Sequence, residues 1–283
     1  MNVEKLDFQH KDLLSERFKK IGIFLSSYSF PNLYLYRKEF DYEVVFDKKI
    51  FVKGKSYDGF TYMMPTVSVL RIEYEYLKSI AKDVDFLFPI AEEWLNIFKP
   101  EDFEYSYGED EIDYIYTVDK ISTYAGRKLQ KKRNLLKQFV TTYQHNAYPL
   151  TNDRLADAHK ILDAWQAETG EPLEKTDYYQ CQVALNMYDD LVLCGGIYYV
   201  GSEPVGFIIG EEINQEMFVL HFAKGKREYK GLYQYMYNTF AKILPRQYKY
   251  LNFEEDLGKE TLKIAKSSYV PDMMLKKYRV KVI

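Results

Sequence analysis

The sequence predicts an α+β protein made of two similar domains, each with a mixed, mostly antiparallel sheet flanked by helices. Its length of 283 residues is that of about two domains. Short runs rich in Val, Ile, Phe and Tyr alternate with stretches that have helical three-to-four spacing. The same order of elements occurs in both halves, namely strand, helix, helix, three strands, helix, strand and helix, which indicates a duplication.

The first half, residues 1–118, is the shorter copy and is predicted as an N-terminal domain. Its strands are assigned where β-branched and aromatic residues are bounded by turn residues, and its helices where apolar residues recur every three or four positions. The predicted elements are, in order, a strand at LDFQ, helices at HKDLLSERFKKIG and NLYLYRKEF, strands at YEVVF, KIFVKG and FTYMMP, a helix at 70–82, a strand at DFLFPI, a helix at AEEWLNIF, and strands near 103–107 and 112–117.

Residues 145–283 form the predicted C-terminal domain, in which we expect the active site. Asn152 or Asp153 is the predicted cap of its first helix, and Gly201-Ser202 and Asn214-Gln215 are predicted hairpin turns. The predicted elements are a strand at 145–151, the helix NDRLADAHKILDAWQAE, a helix at 176–189, the strands LVLCGGIYYV, EPVGFIIGEEI and EMFVLHFAK, a helix at 231–244, a strand at 248–254, a helix near 259–267 and a strand near 277–282.

A basic connecting helix is predicted between the domains, at residues 119–144. Its segment GRKLQKKRN has five cationic side chains in seven consecutive positions, and no acidic residue lies between Asp119 and Asp153. The preceding segment EDFEYSYGEDEID holds seven acidic residues. Two interpretations follow: the helix is a salt-bridged strut between the domains, or its exposed cations bind an anionic ligand.

Composition excludes several classes of protein. With 39 basic and 42 acidic residues, the chain is not a general nucleic-acid coat protein. The two cysteines, Cys181 and Cys194, do not have metal-ligand spacing, and no zinc, Walker or dinucleotide motif is found, so no metal is expected. The first 20 residues lack the apolar segment of a secretory signal, and no apolar run is long enough to span a membrane. We therefore expect a cytoplasmic protein.

Four stretches carry a family resemblance: SFPNLYLYR (29–37), GRKLQKKRN (126–134), HFAKGKREYKGLYQYMYN (221–238) and LNFEEDLGKETLKIAKSSYVP (251–271). In them the sequence resembles soluble relatives of the C-terminal catalytic domain of bacterial phosphatidylglycerol lysyltransferase, which are related to the Fem-type aminoacyl transferases. The element order is similar to the GNAT acyltransferase core. The resemblance implies a tandem GNAT-like fold and transfer of an aminoacyl group from aminoacyl-tRNA, the donor, to a lipid or peptide acceptor.

The chain departs from these families in two respects. Lipid lysyltransferases usually carry a membrane-spanning half in addition, and these 283 residues contain no such segment. The CoA-binding signature of ordinary GNAT enzymes is also altered: with Gly231 as its first glycine, Glu228 takes the Arg or Gln position and Tyr233 the final small-residue position. A tyrosine there would crowd a pyrophosphate at the helix start. A CoA-dependent N-acyltransferase with acetyl-CoA as donor therefore remains the alternative.

A binding site for a phosphate-bearing donor is predicted where the strands at 216–224 and 248–254 separate. Backbone amides at the helix start and nearby cations together form an anion site, although a solvated lysine-rich loop would have the same sequence. The residues predicted to bind the donor there are Lys224, Lys226, Arg227, Lys230 and Gly231. The residues of the basic helix predicted to bind the acceptor end of the tRNA with them are Arg127, Lys131, Lys132 and Arg133.

Candidate catalytic groups lie in NFEEDLG. Transfer to an amine or hydroxyl needs a base, and strand alternation would put Asn252, Glu254 and Asp256 on one side, facing the cleft. Adjacent acids should raise one another's pKa. Alternatively, these acids only cap the following helix.

His221 and Tyr269 are two further candidates. His221 lies in an apolar strand, where it is either a packed core residue or a catalytic one, and the amides of residues 221–223 are predicted to bind the oxyanion. Tyr269, placed by the resemblance, would protonate the leaving group.

The predicted reaction is a direct displacement without a covalent intermediate. The remaining hypothesis is a non-catalytic binding protein on a GNAT scaffold.

Overall fold

Residues 2–283 are described in a computed structural model, and in them the chain forms two sheets and nine α-helices. The strands are β1 (Asn2–Lys5), β2 (Glu43–Phe46), β3 (Ile50–Lys55), β4 (Thr61–Pro65), β5 (Phe86–Ile90), β6 (Phe103–Tyr107), β7 (Asp113–Thr117), β8 (His145–Pro149), β9 (Cys194–Val200), β10 (Glu203–Asn214), β11 (Met217–Gly225), β12 (Tyr250–Asn252), β13 (Met273–Leu275) and β14 (Tyr278–Val282). The helices are α1 (Lys11–Ile21), α2 (Phe30–Tyr36), α3 (Tyr74–Ala81), α4 (Val118–Thr123), α5 (Gln130–Thr142), α6 (Leu155–Thr169), α7 (Tyr178–Asn186), α8 (Leu232–Ile243) and α9 (Glu260–Ser267).

The chain divides into two compact units that are not continuous in sequence. Unit 1 contains residues 2–113, 255–259 and 274–283, and unit 2 contains residues 114–254 and 260–273. The sequence predicts instead an uninterrupted second domain from 145 to 283. The difference arises because β14 pairs with β5 and β6, so that the last strand of the chain belongs to the sheet of unit 1.

The sheet of unit 1 has seven strands in the order β1-β2-β3-β4-β5-β14-β6. Neighbours are antiparallel except for β4 and β5, which are parallel. Apolar strand residues such as Val44, Val52 and Leu87 are fully buried and form its core. Two predicted elements were wrong: LDFQ is not a strand, because Asp7 caps a 3₁₀ turn at Phe8–His10, and AEEWLNIF forms a 3₁₀ helix rather than an α-helix.

The sheet of unit 2 also has seven strands, in the order β13-β7-β12-β11-β10-β9-β8. Its hairpins β8-β9, β9-β10 and β10-β11 are antiparallel, and β11 and β12 form its parallel pair. Helix α8 covers this sheet with buried Leu232, Met236 and Phe240. The predicted α+β class, with two mixed, mostly antiparallel sheets flanked by helices, is confirmed.

The predicted connecting helix at 119–144 is two helices, α4 and α5, both in unit 2. Tyr124 ends α4 in the left-handed conformation, with φ 47°, and Gly126 follows with φ 89°. A 3₁₀ turn at Arg127–Leu129 then leads into α5. Phe139 of α5 stacks on Tyr235 of α8, with ring centroids 4.7 Å apart, so α5 is packed on unit 2 through one apolar face.

Within residues 2–283, no helix combines the length and the apolar character needed to cross a bilayer.

Candidate active site

The parallel strands β11 and β12 separate part-way along their length. They pair at Met217 with Tyr250, Phe218 with Leu251 and Val219 with Asn252. Strand β12 ends at Asn252, whereas β11 continues to Gly225. The separation that the sequence predicts is therefore present, and the residues just beyond it form the candidate site.

His221 lies two residues beyond the last pair, between two carboxylates. Its Nδ1 is 2.8 Å from Glu254 Oε1, and its Nε2 is 3.0 Å from Glu211 Oε1. The side chain of His221 is 2% exposed and those of both glutamates are 13% exposed. Because a carboxylate oxygen accepts hydrogen bonds, both ring nitrogens donate, and the ring is an imidazolium.

The charge of His221 follows from these neighbours. Burial by itself lowers the pKa of His221, but Glu254 and Glu211 outweigh burial and raise the pKa to about 10. The ring therefore stays charged at neutral pH and is not available as a base. Instead it orients the two carboxylates and places a positive charge between them in a nearly buried position.

Glu254 is held in an uncommon backbone conformation. Its φ is 58°, in the left-handed region, and its amide N–H donates to Oδ1 of the fully buried Asn252 at 2.7 Å. Lys266 Nζ, 3.2 Å away, donates to the carbonyl oxygen of Glu254. A non-glycine residue in this region is strained, and such strain is concentrated at functional sites. The Glu254 carboxylate is thus fixed from the backbone and from His221.

The predicted alternation of Asn252, Glu254 and Asp256 was wrong, because β12 ends at Asn252 and no strand continues through the acids. Asp256 belongs to unit 1, where its carboxylate is buried and accepts from the amide N–H of Gly258 at 2.9 Å. Glu255 also belongs to unit 1, where it accepts from Lys277 Nζ at 2.6 Å. Asp256 therefore stabilises a turn, and Glu254 alone of the three acids contacts His221.

Glu211 is a member of the cluster that the sequence reading missed. It lies in β10, in the run GFIIGEEI, where every preceding residue is apolar or glycine. A carboxylate in such an apolar strand could have indicated a buried charged cluster, because an acid is rarely buried without a partner. The partner could not be identified from sequence, since His221 faces Glu211 across the β10-β11 pair.

Two of the predicted phosphate-binding lysines are already paired with carboxylates. Lys224 is buried, with Nζ 2.5 and 2.7 Å from the two carboxylate oxygens of Asp177 and 3.7 Å from the ring centroid of Trp165. Lys226 pairs with Glu203. These two side chains stabilise the loop and leave little positive charge for a ligand.

Arg227 and Lys230, by contrast, are exposed. The backbone N–H of Arg227 donates to Glu168 at 2.9 Å, and neither side chain has an ion pair among the described residues. They are the cations of this loop that remain available to an anionic ligand.

Gly231 is required by packing. Its φ is 89°, and a Cβ there would come within 2.2 Å of the carbonyl oxygen of Leu135 in α5. Only glycine allows the two helices this close approach. The anion site predicted at this helix start remains a prediction.

The basic segment 127–137 contains cations in three different environments. Arg133 donates to the carbonyl oxygens of Tyr124 and Gly126, and so stabilises the turn before α5. Lys132 Nζ is 3.7 Å above the ring of Tyr269, and burial together with Lys131 lowers the pKa of Lys132 to about 8. The exposed cations without an ion pair among residues 2–283 are Arg127, Lys128, Lys131 and Lys137.

The acidic segment 101–113, which the strut interpretation pairs with this basic segment, has other partners. Acidic side chains of residues 101–113 pair with cations of unit 1: Asp102 with Lys78, Glu111 with Arg279, and Asp113 with Lys277. In the part of the chain that the structure describes, no ion pair neutralises the exposed cations of the basic segment, which favours the anion-binding interpretation.

Tyr269 is a packed residue. It is 4% exposed, its ring lies against Tyr124 and Tyr237 at centroid distances of 5.8 and 5.6 Å, and its hydroxyl accepts from Gln234 Nε2 at 3.0 Å. Burial raises the pKa of Tyr269 far above its usual value. A hydroxyl so buried is a poor proton donor to a leaving group, so Tyr269 acts as the support for Lys132.

Similarity to known proteins establishes the family of this chain. The family model for the C-terminal region of phosphatidylglycerol lysyltransferase matches residues 18–281. The chain belongs to that family. The predicted resemblance is confirmed, and the prediction of a transferase is confirmed at the level of the family.

Individual relatives agree with this assignment. An uncharacterised protein of Mycoplasmoides gallisepticum is 28% identical over 185 residues, which are 62% of this chain and 58% of that protein. The match thus spans less than two thirds of that relative. A conserved protein of unknown function from Bacteroides thetaiotaomicron is 28% identical, with a TM-score of 0.85 over 100% of both chains.

Two named structures share the fold. The L-PGS structure from Bacillus licheniformis has a TM-score of 0.63 at 13% identity, covering 95% of this chain and 91% of that one. The FemX structure has a TM-score of 0.62 at 9% identity, covering 100% and 98%. At these identities the likeness concerns the fold alone, and it agrees with the fold that the predicted resemblance implies.

Proposed function

We propose that the protein transfers an aminoacyl group from aminoacyl-tRNA to a lipid or amine acceptor, by direct displacement where β11 and β12 separate. The observation that carries this proposal is the cluster of Glu254, His221 and Glu211 at that separation, in a chain of the lysyltransferase family. A carboxylate fixed by a buried imidazolium is suited to act on a proton in a polar reaction.

The proposed reaction breaks one ester bond, forms one bond to the acceptor and moves one proton from the acceptor to the ribose oxygen. The acceptor amine or hydroxyl attacks the ester carbonyl carbon of the aminoacyl-tRNA, and the bond from that carbon to the terminal ribose oxygen breaks. The acceptor loses one proton and the ribose oxygen gains one. Glu254 is the base that takes the acceptor's proton, since its carboxylate is held in place by His221 and is partly exposed. The amides of residues 221–223 remain the predicted oxyanion donors.

The basic segment supports tRNA as the donor. Arg127, Lys131 and Lys137 are exposed and unpaired among the described residues, and Arg227 and Lys230 add charge in the same unit. Contacts of cations with phosphates release counterions, so binding should weaken linearly with the logarithm of the salt concentration.

A transfer assay tests the reaction class. Total tRNA charged with labelled amino acids is incubated with the protein and with vesicles containing phosphatidylglycerol or with soluble amines, and label is followed from tRNA into the acceptor. We expect label in one acceptor fraction. No transfer from any charged tRNA would contradict the proposal. Stabilisation by acetyl-CoA, about 2.7 kcal/mol at 100 times its dissociation constant, would then favour the CoA-dependent alternative.

A gel-shift titration over a salt series tests the donor. The triple variant Arg127→Ala, Lys131→Ala, Lys137→Ala should bind tRNA more weakly and reduce the salt slope by about three, one for each lost contact. Arg133 is left unchanged because it stabilises the turn before α5. The matched control changes the exposed Lys19, Lys20 and Lys38 of unit 1 to Ala and should bind as the unchanged protein does.

A further inference from the structure

Two adjoining cavities lie along strand β6 of unit 1. The larger, about 350 Å³, is lined by Phe60 and Tyr105, and the smaller, about 240 Å³, by Tyr57 and Tyr107. These four aromatic side chains are 41–53% exposed. Exposed aromatic side chains clustered around cavities mark an interaction surface, because isolated ones are normal but groups are not. We call this surface the β6 groove.

The β6 groove carries an excess of negative charge. Its lining includes two cations, Arg279 and Lys281. Its acidic lining residues are Asp58, Asp85, Glu104, Asp110 and Glu111. Arg279 is neutralised, because its guanidinium binds Glu111 through Nε and Nη2 and Asp58 through Nη1 at 2.6 to 3.1 Å. The groove is therefore complementary to a cationic ligand.

Strand β6 is also an open edge. It is the last strand of its sheet and pairs only with β14, from Tyr107 with Tyr278 to Phe103 with Val282. Its residues 104–107 are all exposed. The unpaired backbone groups of an edge strand are a template for an added strand from another chain.

Aromatic faces at the β6 groove already hold cations of the protein itself. Lys276 Nζ is 4.3 Å from the ring centroid of Tyr107, and the Arg279 guanidinium carbon is 4.8 Å from that of Phe86. Such contacts stabilise ammonium and guanidinium groups over a ring. The half-exposed rings of Tyr105 and Phe60 can offer the same interaction to a ligand.

We propose that the β6 groove binds an extended basic peptide, whose backbone adds to the edge of β6 and whose Lys or Arg side chains at alternate positions enter the two cavities. Alternate side chains of a strand lie on one face about 6.8 Å apart, and the two cavities adjoin, since Ser106 and Arg279 line both. Tyr105 and Tyr107 are likewise two residues apart in β6 and line one cavity each. This binding does not depend on the proposed transfer reaction.

Fluorescence polarisation with the full chain tests the proposal. The probe is a labelled peptide of alternating Lys and Thr, seven residues long. One comparison peptide has Glu in place of Lys, and another has Pro in place of Thr, which keeps the charge but removes backbone donors. We expect only the Lys-Thr peptide to bind well, and hydrogen exchange at residues 103–107 to slow when it does.

Variants locate the site. Tyr105→Ala and Phe60→Ala should each weaken binding about tenfold, as truncation of an interface aromatic often does. Asp110→Asn should weaken it about threefold, with the effect reduced by salt. The control Tyr179→Ala removes a tyrosine of unit 2 that is 47% exposed and should change nothing. Thermal unfolding checks that each variant is folded.

Three results would overturn the proposal. Equal binding of the Pro peptide would rule out strand addition, and unchanged binding by both Tyr105→Ala and Phe60→Ala would place the peptide elsewhere. Self-association that Tyr105→Ala abolishes, seen by sedimentation, would show that the edge binds a second copy of the chain instead.

Discussion

The two parallel strand pairs of the molecule share one topology and differ in chemistry. In unit 1, β4 and β5 last pair at Met63 with Leu87, and in unit 2, β11 and β12 last pair at Val219 with Asn252. Two residues further along the chain from each of these, unit 1 has Pro65 and Pro89, and unit 2 has His221 and Glu254.

Because of this difference, we regard the copy in unit 1 as structural and the copy in unit 2 as the candidate catalytic one. Pro65 and Pro89 are buried, cannot ionise and have no backbone N–H, so unit 1 has no titratable side chain at these positions. His221 and Glu254 occupy the corresponding positions with opposite charges. The active site is predicted in the second copy, and the first copy is expected to be structural or to bind the acceptor; both stay predictions.

The largest effect should come from Glu254→Gln. Removing the base should lower kcat of the transfer about 100-fold or more, since general base catalysis contributes 10² to 10⁴. The matched control is Glu212→Gln, the next residue along β10 from Glu211, which is exposed and accepts from the Tyr248 hydroxyl. Unchanged kcat in Glu254→Gln would mean that the base lies elsewhere and that the contrast with Pro89 is not catalytic.

The next largest effect concerns stability. His221→Phe removes the cation that Glu211 and Glu254 share in a nearly buried position, which should lower the free energy of unfolding by about 3 kcal/mol. The corresponding change in unit 1, Pro65→Ala, should cost about 1 kcal/mol. Urea denaturation measures both. Similar costs at the two positions would show that the imidazolium is not essential to the sheet of unit 2.

A smaller effect is expected at the start of α8. Gly231→Ala introduces a Cβ at φ 89° and 2.2 Å from a carbonyl oxygen, so it should destabilise the chain by about 2 kcal/mol. Gly59→Ala in unit 1 has φ 84° and nothing within 4 Å, so it should cost about 1 kcal/mol. The difference between the two, measured by thermal unfolding, isolates the contact with α5. Equal costs would show that α5 adapts.

The smallest and most gradual effect is on pH dependence. The pKa of His221 is raised from 6.5 to about 10, so its stabilisation is complete below pH 6.5 and is lost as pH rises through 10. The lowered pKa of Lys132, about 8, acts in the opposite direction between pH 8 and 10.5. The difference in unfolding free energy between the unchanged protein and His221→Phe isolates His221. That difference should decrease steadily from pH 6.5 to pH 10 and level off above pH 10, and a difference that does not change over this range would contradict the buried ion cluster.

Local pattern predicted most of the elements. The hairpins of unit 2 and helix α8 follow from β-branched runs and three-to-four spacing, which act over a few residues. Local pattern did not predict which sheet the last strand joins. Val280 of that strand pairs with Leu87 of the first half. Nothing in the run near 277–282 distinguishes one sheet from the other.

The candidate site was predicted in part. His221 and Glu254 were proposed separately, but their bond depends on the left-handed Glu254 and on where β12 ends. Lys224 and Arg227 look alike in sequence, and only the position of Asp177 shows that Lys224 is already neutralised. The sequence gives the number of cationic side chains. Whether each can bind an anionic ligand depends on carboxylates that the fold brings close to it from distant segments.

The sequence by itself determined the α+β class, the duplicated order of elements and the transferase family, because hydrophobic periodicity and family motifs are local properties of the chain. Only the tertiary structure decided which acid faces His221, that Glu211 joins it, and which cations stay free, because these depend on strand register and on contacts between residues far apart in sequence.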